Sequence, residues 1–260
     1  MKKIGVFDSG IGGASVLTEM LKAMPNEDYL FLSDSANNPY GEKNPEELYT
    51  ICKNNVDYLL SRDVKCIVIA CNTASTQMAN RLREEYKDTL IFAIEPAYKM
   101  VYDYAYDEPT LILATQGTIK SEQFHLLYSK YNNHKTEIIP CVGLADAIED
   151  GDEKRIDKIL NKYLSPYRNK IKNVVIGCTH YPFVKNRIVE QLGGDIKFFY
   201  GAEALTKHIK EELESRNMLE TVEKSRDLSK DVEFVDTSNS EFKKKRFYEI
   251  ISHYETEYNI

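Results

Sequence analysis

Two short apolar runs, each ending in a cysteine, constrain the fold of this chain more than any other feature. Residues 67–71 read IVIAC, and residues 174–178 read VVIGC. Runs this short and this rich in β-branched residues predict buried strands rather than helices. Because each cysteine ends its run, we expect it at the carboxyl edge of a parallel sheet. In open α/β folds, ligands bind at that edge.

The spacing of these runs recurs elsewhere in the chain. Cys71 and Cys178 are 107 positions apart, and the same offset aligns residues 4–10 with 111–117 and residues 29–33 with 136–140. Three segments in register and in the same order indicate an internal duplication. We therefore predict an α/β fold of two similar, pseudo-symmetric domains, each with a mostly parallel sheet flanked by helices. The active site is expected in the cleft between them.

The domain boundaries follow from this duplication and from a C-terminal return of the chain. We assign residues 1–97 together with 208–260 to the first domain, and residues 98–207 to the second. At 260 residues the chain is long enough to bury a core in each domain.

Composition excludes several classes of protein. A net charge of −7 argues against nucleic-acid binding, and we interpret the basic run at residues 243–246 as a solvated helix face. No apolar stretch approaches the roughly 18 residues of a membrane span. Asp8 interrupts the first apolar run after four residues, so we expect no secretory signal. The five cysteines form no CxxC pair, which favours reduced thiols in the cytoplasm over disulfides or a structural metal.

A glycine-rich turn, DSGIGG at residues 8–13, follows the first predicted strand. Its glycines suggest backbone amides that approach an anion at a helix N-terminus. The turn does not match the dinucleotide-binding fingerprint, because Ser15 stands where the third glycine belongs. It is also not followed by the Gly-Lys-Ser/Thr of a nucleoside triphosphate-binding loop. Asp8 either belongs to the site or caps the helix. The turn at residues 39–41 likewise either presents amides to a carboxylate or is simply a turn.

The two cysteines suggest a particular chemistry. A thiol has a pKa near ~8.5 and exchanges protons readily at neutral pH. Two thiols on opposite walls suit removal of a proton from one face of a carbon and delivery to the other, as in racemisation or epimerisation. Cys178 has His180 nearby, which alone would suggest a nucleophilic cysteine, whereas Cys71 has no adjacent histidine. The alternative is that both are buried packing residues, as free cysteines often are.

Four motifs resemble the glutamate racemase family of the cofactor-independent aspartate/glutamate racemase superfamily. They are residues 8–13 (DSGIGG), 39–41 (PYG), 70–75 (ACNTAS) and 177–182 (GCTHYP). The segment DAIEDG at 146–151 is similar to the family segment that carries an assisting glutamate. The resemblance implies interconversion of L- and D-glutamate without a cofactor, which supplies D-glutamate for peptidoglycan synthesis in the bacterial cytoplasm. It also implies a homodimer.

The resemblance implies roles for individual residues. Cys71 would act on the D-enantiomer and Cys178 on the L-enantiomer, with Asp8, Glu149 and His180 tuning the two thiols. The substrate would be held by Ser9, Tyr40, Gly41, Asn72, Thr73, Thr179 and His180. To these we add Asp8 and Pro39 from the two turns, and Thr115 and Thr118 from the polar end of the strand predicted at residues 110–114. No metal and no cofactor are expected.

Without a cofactor, catalysis must rest on hydrogen bonds to the substrate and on exclusion of water by domain closure. We therefore expect an open, wet cleft in the absence of ligand. Residues 33–38, 200–202 and 239–240 depart from the family pattern, and we expect the first two departures to bear on loop packing, subunit contacts or effector response. Two rival functions are a single-cysteine decarboxylase or hydrolase, which the second cysteine disfavours, and a two-lobed amino-acid sensor. An aspartate racemase is disfavoured because the chain lacks the Gly-Gly-Met-Gly stretch usual in those enzymes.

Overall fold

A computed structural model describes residues 2–131, 133–225 and 227–258 of the chain. Within these residues nine strands form two parallel sheets. The strands are β1 (Ile4–Asp8), β2 (Tyr29–Ser33), β3 (Cys66–Ile69), β4 (Ile91–Ala93), β5 (Thr110–Ala114), β6 (Thr136–Pro140), β7 (Asn173–Gly177), β8 (Lys197–Tyr200) and β9 (Val232–Asp236).

The two sheets repeat one strand order. The first runs β4-β3-β1-β2-β9, and the second, read in the same sense, runs β8-β7-β5-β6. Each half therefore places its third strand beside its first, so β3 and β7 occupy equivalent positions. The predicted fold class, an α/β arrangement with two related parallel sheets, is confirmed. The central strands β1, β3, β5 and β7 are buried along their whole length, which explains why they read as continuous apolar runs.

Helices flank both sheets. Among the described residues the α-helices are α1 (Ala14–Ala23), α2 (Pro45–Ser61), α3 (Asn72–Glu85), α4 (Tyr98–Tyr104), α5 (Gln116–Ile119), α6 (Glu122–Tyr131), α7 (Leu144–Asp150), α8 (Glu153–Leu164), α9 (Lys185–Leu192), α10 (Ala202–Ser215), α11 (Leu228–Asp231) and α12 (Glu241–Tyr258). Across the described ranges, none of them is both long enough and apolar enough to cross a bilayer.

Local sequence accounts for the start of α2 and for the buried face of α8. Asn44 caps α2 by accepting a hydrogen bond from the amide of Glu47, and Pro45 occupies the first turn, where its missing N–H costs nothing. In α8 the buried residues Ile156, Leu160 and Leu164 recur every four positions, so one stripe faces the second sheet.

Strand β8 was not predicted from the sequence. Residues 198–199 are both phenylalanine, but the run is only four residues long and partly exposed. The 107-residue offset would have found it, because that offset places residues 91–93 of β4 on residues 198–200. After β8 the chain returns to the first half, where α10 packs against α1 and β9 pairs with β2. The exact domain boundaries remain a prediction.

Candidate active site

The carboxyl ends of β1, β3, β5 and β7 meet at one small cavity of about 70 Å³. At about 10–15 Å³ per water this is room for roughly five to seven water molecules, which suits a small, compact ligand. The predicted site residues that line it are Ser9, Pro39, Tyr40, Gly41, Cys71, Asn72, Thr73, Thr115, Cys178, Thr179 and His180. The predicted residues Asp8, Thr118 and Glu149 are not part of the lining and lie behind it.

The two cysteines enter the cavity from different halves of the molecule. Cys71 follows β3, directly before α3, and Cys178 follows β7; they are 6% and 5% exposed. Burial raises the pKa of the Cys71 thiol to about 12, and the negative charge of Asp8 adds to this effect. The amide of Ala74 and the hydroxyl of Ser9, whose Oγ lies 3.7 Å from Cys71 Sγ, act in the opposite direction.

Cys178 has a polar partner of a different kind. Nδ1 of His180 lies 3.8 Å from Cys178 Sγ, and Nε2 of the same ring lies 2.6 Å from Oε2 of Glu149. Burial opposes a charged imidazole, yet the contacts with Cys178 and Glu149 hold the pKa of His180 well above its usual value. Burial also raises the pKa of Glu149, but the bond and charge of His180, the charge of Lys243 and the amide of Ile11 together outweigh burial and lower that pKa. The pair is therefore an imidazolium and a carboxylate.

The glycine-rich turn supports this pair from the first half. The amide of Ile11 donates to Glu149 at 3.1 Å, and a Cβ on Gly12 would lie 2.3 Å from Nδ1 of His180, so only glycine fits there. The predicted anion contact of this turn therefore exists, but the anions are the protein's own carboxylates.

Asp8 lies behind the cavity and is not the N-cap of α1, which is Gly13, so its role in the site stays a prediction. It accepts hydrogen bonds from the amides of Gly10 and Gly13 at the start of α1, and Thr179 of the second half donates to it at 3.3 Å. Burial raises the pKa of Asp8 to about 6, despite the opposing charge of His180. This carboxyl therefore titrates close to neutral pH beside both thiol-bearing segments.

Asn72 is the most conspicuous polar side chain in the cavity. Its Oδ1 and Nδ2 are both buried without a hydrogen-bond partner within the described residues. Buried polar atoms nearly always find partners, so an amide left in this state marks a place where ligand atoms complete the bonding. Tyr40 differs, because its hydroxyl donates to Asp34 at 2.5 Å and is also bonded to Asn55, so it offers the cavity its ring and backbone.

The two halves are in contact at one edge of the cleft. Oγ1 of Thr73 lies 2.8 Å from that of Thr115 in the other half, and Thr115 is bonded to Thr118. Gly41 and Gly117 approach so closely that a Cβ on Gly117 would lie 2.8 Å from the Cα of Gly41. Because neither glycine carries a side chain, the two loops meet backbone to backbone at this edge. The open, wet cleft expected without ligand stays a prediction.

The interpretation of residues 243–246 as a solvated face is also wrong for two of its members. Nζ of Lys243 lies 3.2 Å from Oε1 of Glu149, with the lysine side chain 18% exposed, and Arg246 donates to the carbonyl of Ile148. Residues three apart lie on one face of a helix, and here that face packs against α7. Lys245, by contrast, is 79% exposed.

The sequence analysis also left some cavity residues without a role. These are Asn38, Glu42, Gln116, Cys141, Val142, Gly143, Ala145, Asp146 and Tyr181. Cys141 follows β6 as Cys71 follows β3, so the same strand-end pattern could have identified it.

Comparison with known proteins agrees with this architecture. The family profile described as Asp/Glu/Hydantoin racemase matches residues 4–209. A glutamate racemase from Clostridium perfringens (strain SM101 / Type A) is 41% identical over 229 residues, covering 86% of this chain and 88% of the relative. Solved structures of glutamate racemases match this chain over nearly its whole length. Glutamate racemase from Francisella tularensis with D-glutamate has a TM-score of 0.77 at 27% identity, covering 97% of this chain and 93% of that one.

The Escherichia coli enzyme, solved with L-glutamate and the activator UDP-MurNAc-ala, has a TM-score of 0.79 at 25% identity, covering 98% of this chain and 96% of that one. The matched family segment runs from β1 into α10 and so contains both cysteine-bearing strand ends. The chain belongs to the Asp/Glu/Hydantoin racemase family and is a racemase.

Proposed function

We propose that this protein interconverts L- and D-glutamate by proton transfer at the α-carbon between two thiols, without a cofactor. The observation that carries the proposal is that Cys71 and Cys178, one from each half, line a single small cavity. The relatives are named glutamate racemase, and two similar structures hold D- or L-glutamate, which supports glutamate as the substrate.

The mechanism we propose uses each thiol once per turnover. With L-glutamate, the thiolate of Cys178 takes the α-proton while the thiol of Cys71 gives its proton to the opposite face of the carbon. With D-glutamate the roles reverse. The His180 imidazolium offsets the charge that Cys178 carries as a thiolate, and Glu149 holds the ring in place.

Neutral groups would make most of the contacts to the substrate, because within the described residues the His180 imidazolium lines the cavity and no lysine or arginine does. The unpartnered amide of Asn72 and the hydroxyls of Thr73 and Thr179 offer hydrogen bonds to the carboxylates and the amine. Closure of the cleft over the substrate would exclude bulk water and strengthen those bonds as negative charge develops on the substrate.

We also propose the setting that the family resemblance implies. The enzyme would supply D-glutamate for peptidoglycan synthesis in the bacterial cytoplasm, and it would act as a homodimer. Rescue of a bacterium that requires added D-glutamate tests the first proposal. Light scattering of the purified protein tests the second, since a monomer mass at micromolar concentration would refute it.

The decisive experiment is a racemisation assay on L-glutamate, L-aspartate and L-alanine without added cofactor. We expect turnover of glutamate in both directions. Turnover of aspartate but not glutamate would overturn the substrate assignment. Tight binding of glutamate with no turnover at stoichiometric enzyme would identify an amino-acid sensor instead.

A further inference from the structure

The C-terminal helix α12 brings a cation to the far side of the Glu149–His180 pair. Lys243 Nζ lies 3.2 Å from Oε1 of Glu149, whereas His180 holds Oε2 of the same carboxylate. Lys243 does not line the cavity, so it is not placed to touch a substrate there. The Lys243 side chain is mostly buried, and fixing so long a side chain costs conformational entropy. Its ammonium contacts a carboxylate that is almost fully buried.

The Glu149 carboxylate is held by hydrogen bonds from two directions. The amide of Ile11 donates to it from the turn after β1, and His180 reaches it from the segment after β7. Asp8 is the other charged group close enough to influence it, through like-charge repulsion with Glu149. Lys243 is the cation that opposes this repulsion from α12.

The contact also joins the two halves of the molecule. Glu149 lies on α7, which follows β6 of the second sheet, and Lys243 lies on α12, which follows β9 of the first. Arg246, one turn further along α12, donates to the carbonyl of Ile148 at 3.0 Å. Two adjacent residues of α7 are therefore held by one face of α12, so the position of the carboxylate depends on where this helix docks.

We propose that Lys243 is a positioning residue for the racemisation, holding Glu149 ionised and oriented toward His180 and so supporting the Cys178 half of the proton transfer. This inference rests on the function proposed above. Lys243 acts through Glu149 and His180, and the Cys71 half lies outside its reach because no imidazole stands beside that thiol.

The test compares three variants of the full-length protein. Lys243→Met removes the charge and keeps the length of the stem, and Lys243→Arg keeps the charge. Lys245→Met removes a charge from the same helix at an exposed position and serves as the matched control. The first readout is the pH profile of kcat/KM, which reports ionisations of the free enzyme. L- and D-glutamate have equal free energies, so this profile is the same with either enantiomer and a second readout is needed to separate the two thiols.

Loss of an adjacent opposite charge raises a carboxyl pKa by about one unit or more, so Lys243→Met should move the acidic limb of the kcat/KM profile upward by about one pH unit. Below that limb kcat/KM should fall about tenfold relative to wild type. The limb should move equally with L- and D-glutamate, KM at neutral pH should change little, Lys243→Arg should restore the wild-type profile, and Lys245→Met should match wild type. If Lys243→Met does not fold, Lys243→Gln carries the same test.

A second readout needs no turnover. Iodoacetamide labelling of substrate-free protein, followed by peptide mass spectrometry, should show slower labelling of Cys178 below neutral pH in Lys243→Met, with Cys71 unchanged. If wild type is active and Lys243→Met changes neither the pH profile of kcat/KM nor the labelling rates of the cysteines, the proposed role of Lys243 is wrong. Absence of racemisation by wild type would instead refute the proposed function, and the labelling would still decide whether Lys243 acts on Cys178.

Discussion

Nε2 of His180 lies 2.6 Å from Oε2 of Glu149, with both side chains almost completely buried. The other ring nitrogen faces Cys178, while the groups that lower the pKa of Cys71 are the hydroxyl of Ser9 and the amide of Ala74. The two thiols of the cavity are therefore supported unequally, one by a charged pair and the other by neutral groups. Because of this asymmetry, kcat with L-glutamate and kcat with D-glutamate should respond differently to substitution.

Glu149→Gln and His180→Asn should lower kcat by about 100-fold, the usual scale of lost acid–base assistance. KM should rise less, because these groups act on the proton transfer, and the losses should differ between L- and D-glutamate. Steady-state kinetics in both directions measures this. Asp150→Asn is the control, since that neighbouring carboxylate is 61% exposed and pairs with Arg155 on the surface. A raised KM alone, equal in both directions, would make Glu149 and His180 binding residues.

Asp8 should make the protein less stable as pH rises from about 4 to 6. Its pKa is 3.8 in the reference state and about 6 in the fold, so the folded state binds the proton more tightly across that window. Stability falls with pH wherever the native state holds more protons, and a difference of about two units corresponds to about 3 kcal/mol.

Asp8→Asn removes this titration, so the free energy of unfolding of the variant relative to wild type should increase by about 3 kcal/mol between pH 4 and pH 7. Urea denaturation at four pH values measures the difference, in which contributions from other titrating groups cancel. A constant difference across this range would show that Asp8 titrates near its ordinary pKa.

The sequence predicted the features that depend on local pattern. The apolar runs before Cys71 and Cys178 are buried strands, and the repeat offset reflects two sheets of the same strand order. The ion pair of Lys243 was not predictable in the same way, because a run of four basic residues looks solvated until the packing of α12 is known. The contact across the cleft was not predictable for a similar reason, since it joins Gly41 and Gly117, which are far apart in sequence.

Asn72→Leu should increase stability without ligand and weaken substrate binding. Leucine has nearly the same size, and it removes two buried polar atoms that lack partners in the described structure. Each such atom costs about 1–3 kcal/mol, so the substrate-free variant should unfold at a higher temperature. Loss of hydrogen bonds to a charged substrate should raise KM about tenfold or more. Lower thermal stability with an unchanged KM would show that the amide serves the fold instead.

Gly117→Ala should prevent full closure of the cleft. Its Cβ would lie 2.7 Å from Cγ2 of Thr73 and 2.8 Å from the Cα of Gly41, so the two loops must separate. Gly41→Ala is a matched control, because its Cβ would meet the backbone of Gly117 at an ordinary 3.5 Å. A misplacement of about 1 Å can cost about 100-fold in rate, so kcat/KM should fall by that order for Gly117→Ala and far less for Gly41→Ala. Equal effects of both substitutions would argue against closure at this contact.

The two-thiol mechanism makes a prediction about isotopes. In D₂O, both thiols of the free enzyme exchange with solvent before substrate binds. D-glutamate formed from L-glutamate should therefore carry deuterium from its first appearance, because Cys71 delivers a proton that never belonged to the substrate. Recovered L-glutamate should remain largely protiated at early times, since Cys178 holds the substrate's own proton until product leaves. Mass spectrometry of the separated enantiomers follows both pools.

Single-cysteine variants complete this test. Cys71→Ala and Cys178→Ala should each abolish racemisation while the fold is kept, because both thiols lie at strand ends against the cavity rather than inside a strand. Each variant still has one thiol that can exchange the α-proton of one enantiomer, so slow deuterium exchange without inversion is the expected residual activity. A single base that serves both faces would instead return the original proton to the product. Substantial protium in early D-glutamate, or near-normal racemisation by Cys71→Ala, would exclude the two-thiol mechanism.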